Sequence, residues 1–131
     1  MTWRLEKHSM PYFELTRSYF IDAAHMLEGL APAHPCARLH GHRFRIDVVI
    51  AGEPDAQGMV LDFHEMDRRM APLLEQLDHN CLNDVEGLEQ PTAENLALWI
   101  STRFDPAPAR FVSVSVWETE RSRATLRLHG A

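Results

Sequence analysis

The run Arg43-Phe-Arg-Ile-Asp-Val48 alternates charged and apolar side chains without a break, and only an extended strand puts every second side chain on one face. Continued in both directions, the same parity sets His40, His42, Phe44, Ile46, Val48 and Ile50 on one face, with Arg43, Arg45 and Asp47 on the other. The chain is thereby committed to a sheet with one apolar face, which some other element must cover. Two imidazoles stand on the covered side, at the mouth of the strand.

The cover is readable further along. Phe63, Met66, Met70, Leu73, Leu74 and Leu77 recur at spacings of three and four, which predicts an amphipathic helix over Phe63 to Leu77 with Asp62 as its cap. Pro91-Thr-Ala-Glu-Asn95 reads as a second helix start, with Thr92 at the N-cap and Glu94 in the first turn, where the helix dipole favours a carboxylate. Leu96, Trp99, Ile100 and Phe104 make its apolar stripe, and Asp105-Pro-Ala-Pro108 ends it. Three more strands are predicted: Phe13 to Ile21 running on to His25, Phe111 to Trp117, and Ala124 to Leu128. Met59-Val-Leu61, after the turn-rich Gly52 to Gly58, reads as a short returning strand closing a hairpin. Residues 1–10 form a lead-in to a single domain over 11–131. The layout is α+β, an antiparallel sheet with two helices on one face.

A length of 131 residues suits one domain with its own core. The formal net charge of −6 argues against nonspecific nucleic-acid binding and against anionic membrane surfaces, both of which need a basic face. No apolar run approaches the roughly 20 residues of a membrane-spanning helix. Cys36 and Cys81 are too few for a disulfide framework, and the first residues lack a signal peptide's apolar run, so a reducing cytoplasm is the expected location.

His40 and His42 point the same way about 6.5–7 Å apart along a strand, close enough to reach one metal ion. Gly41 leaves the backbone between them uncrowded, and His25 at the neighbouring strand's end can complete a set of three. Three histidines leave a fourth zinc position for water or substrate, the pattern of a catalytic site. Cys36 is either a thiolate base or nucleophile in the loop before them or a small buried hydrophobe, the reading also given to Cys81. His34 and His64 read as surface residues. Asp78-His79 is either an oriented imidazole or a helix terminus with a dipole-compensating histidine. Glu118 continues the parity of Val112, Val114 and Val116, so its carboxylate either meets a ligand or partner on the apolar face or is solvated where the strand frays.

Together these residues resemble the 6-pyruvoyltetrahydropterin synthase family, and more closely its bacterial branch, the 6-carboxy-5,6,7,8-tetrahydropterin synthases of queuosine biosynthesis. The resemblance is carried, in order, by Phe20-Ile-Asp-Ala-Ala-His25, Cys36-Ala-Arg-Leu-His-Gly-His42, Gly58-Met-Val-Leu-Asp-Phe63, Leu77-Asp-His79 with Leu82-Asn83, Pro91-Thr-Ala-Glu-Asn95 and Trp117-Glu-Thr119. It implies Zn2+ held by His25, His40 and His42, Cys36 as catalytic thiolate, Asp78 and His79 as proton relay, and Glu118 with Thr92 at the pterin. It also implies the tunnelling fold, whose trimers close into a barrel and stack as a homohexamer with active sites between subunits. The implied substrate is 7,8-dihydroneopterin triphosphate, with Arg17, Arg38 and Arg43 as candidate phosphate contacts. The three residues between Cys36 and His40 match the carboxy branch, whereas Asp67 stands where many relatives carry a lysine and Asn80-Cys81 follows the relay where other residues are frequent. Loss of triphosphate alone would make a pyruvoyl synthase. The non-enzymatic alternative, a zinc-binding interaction module, needs a fourth protein ligand.

Overall fold

A computed structural model describes residues 11–128; the expected lead-in lies outside the described residues. The elements are β1 (Phe13–His25), β2 (His40–Gly52), α1 (Phe63–Leu77), α2 (Ala93–Ser101), β3 (Arg110–Thr119) and β4 (Ser122–Arg127), with short 3₁₀ turns at Pro35–Ala37 and Leu82–Asp84. The strands form one antiparallel sheet in the order β1-β2-β3-β4. Helix α1 packs over β1, and α2 over β3 and β4.

The strand parity read from the sequence decides the core. Phe44, Ile46, Val48 and Ile50 are fully buried beneath the helices, beside Ile21, Met66, Met70, Leu77, Leu96 and Ile100. Each large apolar side chain so buried contributes about 1.5 to 3 kcal/mol. Both helix starts are capped as expected: Asp62 accepts from the His64 N–H at 2.7 Å and Thr92 from the Asn95 N–H at 3.0 Å. Phe63 departs from the expected stripe; it is 43% exposed, and the Arg17 guanidinium stacks over its ring.

Two local expectations are corrected. Met59 to Leu61 forms no strand, because Asp55 folds the segment on itself. Its carboxylate accepts from the Gln57 and Met59 N–H groups, and its own N–H donates to the Met59 carbonyl. On β3 the register slips beside Val49 and Ile50, so Ser113 pairs with Val49 and Phe111 with Ile50. Val112 is the extra residue, and Phe111 takes its place against the core. A bulge of one residue reverses the parity of everything beyond it.

The other sheet face is polar and organised around Asp47, which is 7% exposed. Its carboxylate accepts from Ser18 Oγ at 2.6 Å, Arg45 Nε at 3.0 Å and Trp117 Nε1 at 3.0 Å. Burial alone would raise this carboxyl, but the three donors outweigh it and hold it below the ordinary carboxylate range. With the folded value depressed, its contribution to stability is present above the unfolded pKa and is lost as pH falls through the folded one.

Candidate metal centre and its surroundings

The register of β1 and β2 assembles the histidines. His25 lies directly across from His40, and His42 across from Ala23, so all three rings project from the helix-facing side at one end of the sheet. Their ligating nitrogens lie within 4.8 Å of one another. The ring centroids are separated by 4.5 Å for His25 and His40, 5.2 Å for His25 and His42, and 5.5 Å for His40 and His42. Phe44 forms an apolar floor, 4.1 Å from the His42 ring and 5.1 Å from that of His25. Sequence reading missed this floor, although the period of two names it. A Cβ on Gly41 would meet nothing nearer than the Ala23 carbonyl at 3.6 Å, so within this chain that glycine is not needed to make room.

Backbone carbonyls orient two of the rings. His25 Nδ1 donates to the Pro91 carbonyl at 2.8 Å, and His40 Nδ1 to the Arg38 carbonyl at 2.8 Å. With the proton on Nδ1, each of these rings turns an Nε2 lone pair inward. His25 Nε2 then faces His42 Nε2 at 3.2 Å, close enough for His42 to donate an Nε2 proton to it or, with that proton on Nδ1 instead, for both nitrogens to turn lone pairs on one cation. Burial pushes the His25 imidazole below its ordinary pKa. The Pro91 carbonyl opposes this, His40 and His42 add to it, and Glu118 is near enough to pull the other way. A buried neutral imidazole is the ligating form. The donor set therefore fits a zinc ion, and among the described residues no fourth histidine, cysteine or carboxylate joins the three within that distance.

Asp78 and His79, the expected relay pair, lie along β1. The peptide of Asp22 receives them: the Asp22 N–H donates to Asp78 Oδ1 at 2.8 Å, and the His79 N–H donates to the Asp22 carbonyl at 2.7 Å. Asn80 accepts from the Ala24 N–H, and Cys81 bridges to Ala24 in parallel. His79 has φ 59°, the left-handed region that few side chains visit. Asp78 and His79 approach at 3.6 Å, and Asp22 completes a cluster with them. Arg43 grips the Asp22 carboxylate and holds it below the ordinary range. Sequence reading did not single out Asp22, whose one signal is its place three residues before His25.

Cys36 stands in the loop between β1 and β2, half-buried, with its N–H bonded to His34 Nδ1. No hydrogen bond among the described residues joins it to Asp78 or His79. His42 and His79 line one open groove with Gly41, Arg43 and Asn80, and Cys36 is not part of its wall. Glu118 falls in a second β3 irregularity: Trp117 pairs with Arg123 and Thr119 with Ser122, which leaves it out of the ladder and half-buried. Thr92 spends its hydroxyl on the α2 cap. Arg17 and Arg43 are ion-paired with Asp67 and Asp22.

The family model for 6-pyruvoyl tetrahydropterin synthase matches residues 14–129. The chain is 39% identical over 117 residues to the 6-carboxy-5,6,7,8-tetrahydropterin synthase of Synechocystis sp., covering 82% of this chain and 88% of that protein. It is 36% identical over 100 residues to the dihydroneopterin monophosphate aldolase of Pyrococcus furiosus, covering 74% and 82% respectively. The structure of Caenorhabditis elegans 6-pyruvoyl tetrahydropterin synthase superimposes with a TM-score of 0.79 at 29% identity, over 91% of this chain and 97% of that one. The chain belongs to the 6-pyruvoyl tetrahydropterin synthase family. Its four-stranded antiparallel sheet and two helices are those of the tunnelling fold.

Proposed function

We propose that the protein is a zinc-dependent 6-carboxy-5,6,7,8-tetrahydropterin synthase of queuosine biosynthesis. It converts 7,8-dihydroneopterin triphosphate and water to 6-carboxytetrahydropterin, triphosphate and acetaldehyde. The observation that carries the reading is the convergence of His25, His40 and His42 with the fourth position left to a ligand. The Synechocystis relative supports the carboxy product. A zinc ion there supplies a Lewis acid that acidifies the O–H and neighbouring C–H groups of the substrate side chain. Cys36 acts as base, and His79, oriented by Asp78, carries protons to and from the same side chain. Glu118 accepts the amino and ring N–H edge of the pterin, and Thr92, at the α2 start beside Pro91, closes that end of the site.

Of the candidate phosphate contacts, Arg38 is the one without a carboxylate partner among the described residues, and it stands two positions before His40. In this reading the chain is a single cytoplasmic domain that assembles as a homohexamer of two trimers. The outer edge of β1 toward Phe13 and the free edge of β4 are the strands available for pairing between subunits.

The test is to incubate zinc-loaded protein with dihydroneopterin triphosphate and identify the pterin by mass spectrometry. A 6-carboxy product with acetaldehyde supports the reading, and a 6-pyruvoyl product replaces it with triphosphate elimination alone. Preferential turnover of dihydroneopterin monophosphate would move the chain toward the activity named for the Pyrococcus relative. The pterin anchor is tested separately: Glu118→Ala is expected to weaken pterin binding by about 1.5 to 3 kcal/mol, the magnitude of a hydrogen bond to a charged group. Calorimetric titration with the product pterin measures it, and an unchanged affinity would remove Glu118 from that role.

A further inference from the structure

Beyond His25 the chain leaves the sheet, and two side-chain amides take over from the strand. The Met26 N–H donates to Asn83 Oδ1 at 2.9 Å, while Asn83 Nδ2 donates back to the Met26 carbonyl at 2.8 Å. Gln90 repeats the arrangement two residues on: the Glu28 N–H donates to Gln90 Oε1 at 2.9 Å, and Gln90 Nε2 to the Glu28 carbonyl at 3.0 Å. A primary amide that accepts and donates in this way replaces, group for group, one residue of a neighbouring strand.

The consequence falls on Leu27. Met26 and Glu28 are committed to the amides, and Leu27 between them turns to the loop before β2. There its N–H donates to the Cys36 carbonyl at 2.8 Å. The clamp is itself anchored to α2. The Gln90 carbonyl accepts from Asn95 Nδ2 at 2.8 Å and the Thr92 N–H at 2.9 Å, and the next carbonyl, Pro91, holds His25 Nδ1. One loop, residues 83–91, therefore orients a histidine of the metal centre and fixes the segment to which Cys36 is tied.

We infer that Asn83 and Gln90 are positioning residues, which set the Cys36 thiol at a fixed distance from the His25, His40 and His42 centre. This rests on the proposed roles of Cys36 and the histidines. The amide is specifically required because a carboxylate of nearly the same shape cannot donate, and it would face the Met26 or Glu28 carbonyl oxygen.

The test uses Asn83→Asp and Gln90→Glu in a Cys81→Ala background, where Cys36 is the remaining cysteine. Zinc-loaded proteins are compared with the Cys81→Ala parent for zinc content, the rate of Cys36 alkylation by iodoacetamide, and kcat and KM on dihydroneopterin triphosphate. Expected are retained zinc, an alkylation rate altered several-fold, and kcat lowered about 10- to 100-fold, the cost of a small misplacement of a reacting group, with KM nearly unchanged. A lower melting temperature with parental alkylation rate and kcat would reduce the clamp to a stabilising contact and overturn the inference. Gln90→Met, uncharged and of similar length, supplies the same readings if the carboxylate variants fail to fold. The alkylation rate reads the clamp directly, so it remains decisive if Cys36 proves to have no part in turnover.

Discussion

His40→Ala is expected to yield a folded protein that loses zinc and turnover together. His40 sits at the first position of β2, half-buried, beyond the apolar run that fills the core. Its removal should therefore change the stability of the metal-free protein by no more than about 0.5 kcal/mol, as for substitutions outside the core. A zinc ion held by His25, His40 and His42 would lose one of its three protein ligands. His25 and His42 remain, facing each other at 3.2 Å, but two imidazoles cannot hold the ion against water as three do. Affinity should fall by more than the roughly 10- to 100-fold that follows loss of an outer hydrogen-bond partner. Elemental analysis after dialysis gives the zinc per chain, and the pterin assay gives the turnover. Zinc retained at the wild-type level would place the ion elsewhere, and activity retained without zinc would remove metal from the chemistry.

How far this centre was legible in advance depends on which residues are local to one element. The parity of Arg43 to Ile50 put both His40 and His42 on the core face, because a strand's period acts at every position. The spacing of Met66, Met70, Leu73 and Leu77, with Asp62 before it, located α1 to the residue. Two features were hidden because an extra residue in a strand leaves no periodic mark: Phe111 replaces Val112 in the core, and Glu118 drops out of the ladder. The partners of the site were hidden for a different reason. Pro91 is 66 positions from the His25 ring it holds, and Asn83 is 57 from Met26. Pairings at such separations are set by how β1, α1 and α2 pack, and no local pattern encodes them. Met59 to Leu61 shows the converse: three apolar residues suggested a strand, and one carboxylate, Asp55, commits the segment to a turn.

Cys36→Ala, by contrast, is expected to keep its zinc and lose turnover by about 10²- to 10⁴-fold, the contribution of a positioned proton-transfer group. The separation of the two effects follows from the loop. The Cys36 N–H is bonded to His34 and its carbonyl to the Leu27 N–H, so both backbone groups are held without help from the sulfur. Removing Sγ should leave the loop in place, and Sγ does not belong to the group of nitrogens that converge for the metal. Cys36→Ser sharpens the test: serine keeps the shape but offers no readily formed thiolate, so it should not recover the rate. Within a single chain no hydrogen bond among the described residues links Cys36 to His79, while His79 shares a groove with His42. In the proposed reaction, a substrate bound at the three histidines would be what Cys36 and the Asp78-His79 pair have in common. Full turnover in the alanine variant would leave Asp78 and His79 as the whole proton machinery, and the reaction would have to run from the groove side alone.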